Sequence, residues 1–269
     1  RGASRNLPIA DLAAEAQRIA AQGQREIVLT GINTGDFGRT TGEPFIDLLR
    51  ALDRVEGIDR YRISSIEPNL LTDEVIAFTA ASKRFQSHFH IPIQSGSDRI
   101  LALMRRRYNT AQFADRIAAV RRAVPDVFLG IDVIVGFPGE TDEDFADTYR
   151  FLERLAPAFL HVFPYSARPD TPAAGFPNRV PPPVAERRAA ELGALSERLH
   201  RAFYEKQVGT QARVLWESTR RNGYMYGYTG NYVKVRTPFD RALINTITPV
   251  KLTATDGEEV MDAAILSRE

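Results

Sequence analysis

The chain has 269 residues, 43% of them hydrophobic and 26% charged, with a formal net charge of +1. That balance suits one large domain, or a medium domain with a small companion, and offers no global field that would advertise a nucleic-acid partner. No apolar run approaches the roughly 18 residues needed to cross a bilayer, and the absence of cysteine excludes disulfides, thiol nucleophiles, cysteine-ligated zinc and iron–sulfur ligation by this chain.

The opening RGASRNLPIA is polar and carries no signal-peptide pattern. Residues 9–22 have helical periodicity and lead to an apolar strand, REIVLTG (25–31). A helix at 44–55 leads to the strand YRISSIEP (61–68), and one at 72–82 leads to HFHIPIQSG (88–96). The helix at 111–123 precedes VFLGIDVIVGFPG (127–139), and the helix at 142–155 precedes FLHVFPYS (159–166). Short strands buried on both faces, alternating with amphipathic helices, predict an α/β architecture with a parallel sheet or barrel. Because the first element is a helix, the pattern reads as a partial, open (β/α) barrel lacking its first strand. A turn-rich connector (169–183) then introduces a long helix at 184–206. After Gly209, ARVLWES, YMYGYTGNYVKVRT and ITPVKLTAT alternate apolar and polar residues between Asn-Gly, Thr-Gly and Asp-Gly turns. That rhythm predicts a small antiparallel β-barrel over 208–269, following an α/β unit over 1–207.

In parallel α/β architectures, ligands bind beyond the C-terminal ends of the strands. Here those ends carry Thr30, Gly31, Asn33 and Thr34; Ser64, Ser65 and Glu67; Gln94, Ser95 and Ser97; Asp132 followed by GFPGET; and Tyr165, Ser166 and Arg168. Five polar clusters on one face predict a ligand site, although Ser97 and Thr141 also read as helix N-caps. Arg106 can reach back over the strand ends and offer a bidentate fork to a carboxylate. Asp132 lies in an apolar strand and needs hydrogen-bond partners such as paired hydroxyls. Structural ion pairs are the alternative reading for both residues. His88 and His90 share a strand face, but no third ligand has suitable spacing with them and His161, so no metal site is expected. The arginine pairs at 121–122, 187–188 and 220–221, and the triplet at 105–107, read individually as solvated helix faces. No nucleophile elbow or GxxxxGK[ST] loop is present, GINTGDFG does not match the dinucleotide fingerprint, and no strand-end lysine supports an aldolase-type barrel.

Taken in order, EIVLTGINTGDFG, RISSIEP, HIPIQSGSDRILALMRRRY, DVIVGFPGETDEDF and VFPYSARPDTPA resemble the methylthiotransferases of the radical S-adenosylmethionine (SAM) superfamily. The later stretch GYMYGYTGNYVKV resembles the tRNA-binding TRAM domain of that family. The wording of SSIEP and GYTGNYV is most similar to the branch acting on N6-threonylcarbamoyladenosine in tRNA. Branches acting on isopentenyladenosine in tRNA or on a ribosomal protein are the alternatives. The resemblance implies that Gln94 and Asp132 bond the SAM ribose and that Arg106 pairs with the methionine carboxylate. It also implies that Gly136 and Phe137 lie along the adenine, that Ser95 supports the pocket, and that Asn33, with Thr30 and Gly31, faces the methionine amino end. Tyr165, Ser166 and Arg168 would contact the substrate nucleotide. Arg220, Arg221, Tyr228 and Lys234 would grip tRNA by stacking and phosphate contact, with two of Tyr224, Tyr226, Tyr228 and Tyr232 expected in the small barrel's core.

The implied activity is methylthio transfer to C2 of the modified adenine beside the anticodon, in a cytoplasmic enzyme whose complete form carries two [4Fe–4S] clusters. Oligomeric state is left open. The family binds its radical-generating cluster through a CxxxCxxC loop just upstream of an RG.SR segment, whereas this chain begins RGASR and has no cysteine. The expectation is therefore a fragment whose first barrel strand, cluster loop and N-terminal domain precede residue 1, and which is inactive alone. A noncatalytic tRNA-binding module is the alternative.

Overall fold

The computed structural model describes residues 6–31, 33–169, 171–255 and 259–266. The RGASR opening, Ile32 and Asp170 therefore lie outside the described residues. Five parallel strands follow one another across the first sheet in chain order: β1 (Glu26–Leu29), β2 (Arg60–Ser65), β3 (Phe85–His90), β4 (Phe128–Val135) and β5 (Phe159–Pro164). Between them run α1 (Ile9–Ala21, before β1), α2 (Phe45–Asp53), α3 (Asp73–Ala81), α4 (Asp98–Leu103), α5 (Thr110–Ala123) and α6 (Asp142–Leu155). Sequential strand order with a helix after each strand is the winding of a (β/α) barrel. Among the described residues it stays open, with β1 and β5 as edges.

Alternation along the strands separates two faces. Tyr61, Ile63, Phe89, Leu129, Ile131, Val133 and Leu160 pack against the helices in one apolar core. The opposite face carries Arg60, Arg62, His88, His90, Phe128 and Asp132. The third strand departs from expectation, running over Phe85–His90 and not to Gly96. Pro92 removes a ladder donor, and beyond it the pairing with β4 shrinks to the Ile93 and Gln94 amides and an isolated bridge from Gln94 to Val133. Both predicted caps are present. Ser97 accepts from the Ile100 amide, and Thr141 forms a capping box with Asp144.

The long helix α7 (Pro182–Glu205) packs on β5 and on the turn after β4. It leads to β6 (Gln211–Arg221), β7 (Tyr224–Thr229), β8 (Lys234–Pro238), β9 (Ile247–Thr255) and β10 (Met261–Ile265), which close in the order β10-β8-β7-β6-β9. The β6–β7 hairpin turns on Asn222 and Gly223, both at positive φ, as a two-residue loop of the primed type requires. The barrel is not wholly antiparallel: β8 and β10 pair in parallel, Met261 opposite Val235, and this pairing closes it. Its core is Val214, Trp216, Met225, Val233, Val235, Val250, Leu252 and Met261. None of the four tyrosines belongs to it. Met225, Gly227 and Thr229 are the buried positions of β7, so the same alternation puts Tyr224, Tyr226 and Tyr228 on the outer side.

The two units are fastened by arginines of β2. The Arg60 guanidinium donates to the carbonyls of Tyr228 (2.8 Å) and Arg213 (2.7 Å). That of Arg62 donates to Gly230 and Thr229 (both 2.8 Å) and to Glu26 (2.8 Å). Tyr232 lies under Arg62, with its ring 4.7 Å from that of His88.

Candidate functional site

The strand ends β1–β4 converge on a cavity of about 440 Å³ lined by Asn33, Glu67, Gln94, Arg106 and Asp132, with Asp36, Arg39, Arg105 and Arg107 at its margin. Four of the seven predicted cofactor contacts, Asn33, Gln94, Arg106 and Asp132, thus share one cavity. Gln94 is placed there by an unusual backbone. Its φ is +76°, and its amide and that of Ile93 both donate to the Asp132 carbonyl (3.0 and 3.1 Å), while its own carbonyl accepts from Ile134. A left-handed non-glycine residue of this kind costs about 1–3 kcal/mol and persists only where its surroundings overdetermine it.

Arg106 arrives by a different device. The six-residue α4 ends early, Arg105 turns left-handed at φ +56°, and the Arg106 amide bonds back to the Leu101 carbonyl. The buried Tyr108 hydroxyl ties this turn to the strand end through the carbonyls of Pro92 and Ile93. Burial pushes the Tyr108 phenol well above its ordinary value. Arg106 Nη1 pairs with Glu67 at 2.8 Å, while its buried Nε has no partner. Asn33 Oδ1 accepts from the Glu67 amide. A carboxylate and a guanidinium side by side, with one guanidinium N–H unspent, suit a zwitterionic amino-acid group better than a simple anion.

Asp132 bonds His90 Nε2 at 2.5 Å. The structural ion pair therefore exists for Arg106, while Asp132 has a hydrogen-bond partner in His90, and both contacts sit at the cavity. His161 lies opposite Asp132 across the β4–β5 ladder, its ring 4.8 Å from that of His90. The ligand atoms of His90, Asp132 and His161 lie within 4.8 Å of one another and could hold a metal ion. The third ligand that spacing along the chain did not supply is thus Asp132, brought in by strand register. Burial lowers the pKa of His161, and that of His88 falls to about 3 through burial and then the Arg62 charge.

Three predicted cofactor contacts lie elsewhere. Ser95 is fully buried, accepts from the Ser97 amide and meets the Thr148 hydroxyl, so it supports the turn from behind. Gly136 (φ +75°) donates its amide to Glu140, and a Cβ there would come within 2.7 Å of Ala185 on α7. Phe137 is buried against Tyr165 and Phe176. Among the predicted nucleotide contacts, Tyr165 keeps a buried hydroxyl without a partner, and Ser166 and Arg168 are exposed. Arg220 and Arg221 are exposed beside the β6–β7 turn, Arg220 over the Phe239 ring. The Lys234 ammonium lies 5.7 Å from the centre of Tyr226 and the Arg236 guanidinium 5.3 Å from that of Tyr224. Tyr228 stacks on Tyr232 and gives its carbonyl to Arg60. It belongs to the junction between units and not to the outer basic row. Glu67 and His90 were missed as partners because neither spacing nor periodicity links them to Arg106 and Asp132.

The family model for the Radical SAM superfamily matches residues 1–152. The chain is 41% identical over 258 residues to the threonylcarbamoyladenosine tRNA methylthiotransferase MtaB of Bacillus subtilis, covering 94% of this chain and 57% of that protein. It is 38% identical to the tRNA-2-methylthio-N(6)-dimethylallyladenosine synthase of Wolinella succinogenes, covering 94% and 60%. It therefore spans just over half the length of these curated relatives. Among solved structures, coproporphyrinogen III oxidase (HemN) from Escherichia coli, described as a radical SAM enzyme, shares the fold. The TM-score is 0.52 at 14% identity, covering 96% of this chain and 65% of that one.

Proposed function

This chain belongs to the radical SAM superfamily, and from that premise we propose that it is the SAM-binding and RNA-binding part of a tRNA methylthiotransferase. Its substrate on this reading is N6-threonylcarbamoyladenosine beside the tRNA anticodon, modified at C2 of the adenine by a cytoplasmic enzyme. The observation that carries the reading is the cavity shared by Asn33, Gln94, Arg106 and Asp132. The unspent Arg106 Nε and the adjoining Glu67 fit the carboxylate and ammonium of a methionine moiety, and Asp132 is a suitable acceptor for ribose hydroxyls. Asn33, Gln94, Arg106 and Asp132 would hold SAM, which when bound would supply the group cleaved by a one-electron donor lying outside this chain; the part of these residues is to orient it and exclude water. The iron–sulfur clusters do not fit here, because a chain without cysteine offers them no thiolate.

Exposed Arg220, Arg221 and Tyr224, with half-buried Tyr226 and Lys234 beside them, suit base stacking and phosphate contact on a single-stranded loop. Calorimetry with SAM tests the cofactor half of the proposal: wild type should bind, and Arg106→Ala should weaken binding at least tenfold. Unchanged affinity in that variant removes the pocket from consideration. For the RNA half, alanine at Arg220, Arg221 and Lys234 should flatten the salt dependence of tRNA binding.

A further inference from the structure

A cleft of about 770 Å³ lies on the other side of the sheet, between the loops that feed β2–β5 and the small barrel. Lys83, Arg154, Lys206 and Arg213 line it, all exposed, and no carboxylate lies within ion-pairing distance of any of them among the described residues. Three further arginines form its wall. Arg60 spends hydrogen bonds on the carbonyls of Tyr228 and Arg213, Arg84 on that of Val55 and Arg121 on that of Ala156. Carbonyl partners fix a guanidinium without cancelling its charge; of these three, among the described residues, only Arg60 has a carboxylate within ion-pairing distance, Glu26 at 3.9 Å. Two acids line the cleft, and one, Asp59, is already paired with Arg25 at 2.6 Å. Burial, and then the neighbouring Arg62 charge, lower the Arg60 pKa to about 10. In a chain of formal net charge +1, this is a concentrated positive field.

We propose that this cleft is a second RNA-binding surface, gripping the phosphate backbone of a tRNA arm outside the anticodon hairpin. The inference rests on the tRNA reading above and extends it. The cleft opens at the N-terminal ends of the strands. Strands of about six residues separate it by roughly 20 Å from the C-terminal ends where the cofactor cavity lies. A nucleotide held at the cavity therefore cannot also fill the cleft. Its concave shape between two units keeps out a bilayer surface but admits a strand of phosphates, and Ser87 and Gln211 add hydrogen-bonding groups suited to phosphate and ribose oxygens.

The test compares whole tRNA with its isolated anticodon hairpin, over a series of salt concentrations, for wild type and a quadruple alanine variant at Lys83, Arg154, Lys206 and Arg213. The expected result is at least tenfold weaker binding of whole tRNA, with a salt slope flattened by about 2–4, and unchanged binding of the hairpin. A charge-retaining pair, Lys83→Arg with Lys206→Arg, should bind as wild type does, and circular dichroism confirms that the variants fold. Whole-tRNA binding that is unaltered in the quadruple variant overturns the proposal, as does equal loss on the hairpin. Loss of polyglutamate binding alone would assign the cleft to an acidic peptide and likewise overturn it. If wild type binds neither RNA, the tRNA reading itself fails, independently of the cleft.

Discussion

Arg106 has a carboxylate partner and still an unspent nitrogen, and Gln94 is held in a conformation that favours glycine. Both features suggest that the cavity is shaped for a ligand and not for stability. Replacing Gln94 by glycine should raise stability by about 1 kcal/mol while weakening SAM binding, a divergence that thermal melting and calorimetry together resolve. Arg106→Lys should behave like Arg106→Ala in binding, because an ammonium cannot reproduce the planar fork. His88 supplies a pH dependence. It stays neutral in the folded chain down to about pH 3, whereas the unfolded chain protonates it near its ordinary value of 6.5. Stability is therefore full above about pH 6.5 and declines as pH falls below it, by at most about 1.4 kcal/mol per pH unit for one such group. Urea midpoints measured from pH 7 to 4 should show this decline, and His88→Phe should make it shallower. Burial shifts His161 and His200 in the same direction, so some acid sensitivity should persist.

At the scale of elements, the turn between β3 and α4 depends on closeness. A Cβ on Gly96 would stand 2.7 Å from the Thr148 backbone on α6, so the glycine lets α4 and α6 meet and lets its amide reach the Thr148 hydroxyl. Gly96→Ala should cost about 1–3 kcal/mol and displace Gln94 with it, lowering both melting temperature and SAM affinity. The anchor of α7 is ionic. Arg188 is buried, with Glu140 at 2.6 Å and Asp142 at 2.7 Å, and burial pushes the Glu140 carboxyl upward. Arg188→Ala should cost about 3–5 kcal/mol because it strands that carboxyl. Chemical denaturation checks the value.

For the whole molecule, the junction built by Arg60 and Arg62 decides whether two units behave as one. Each guanidinium ties a parallel strand to carbonyls of the small barrel, so Arg62→Ala removes bonds to Thr229 and Gly230 and leaves Glu26 short of a partner. Calorimetry should show a single transition in wild type splitting into two, with faster proteolysis near 206–210, where α7 gives way to β6. An intact single transition would mean that the barrel docks mainly through the rings around His88, Phe128 and Tyr232. The edge residues Val28 and Phe163 stay about half exposed, as an open sheet leaves them.

Hydrophobic periodicity marked the five parallel strands, the third displaced by several residues, and the longer helices between them, because one apolar face of each strand and helix recurs at a spacing that local order cannot disguise. Strand-end polarity likewise marked Asn33, Gln94 and Asp132, Arg106 was read as reaching back over them from the following helix, and the caps at Ser97 and Thr141 follow from side chains bonding amides three residues away. What local order cannot encode is which groups meet across strands. The pairings of Glu67 with Arg106 and of His90 with Asp132, the inward turn of Ser95, the parallel closure of β8 on β10 and the outward row of tyrosines depend on register. Register is set by the packing of the whole core, since a slip of one residue would turn every side chain to the other face. The basic cleft is the extreme case: its cations are scattered from Arg60 to Arg213 in sequence, and strand order together with the docking of the small barrel gathers them.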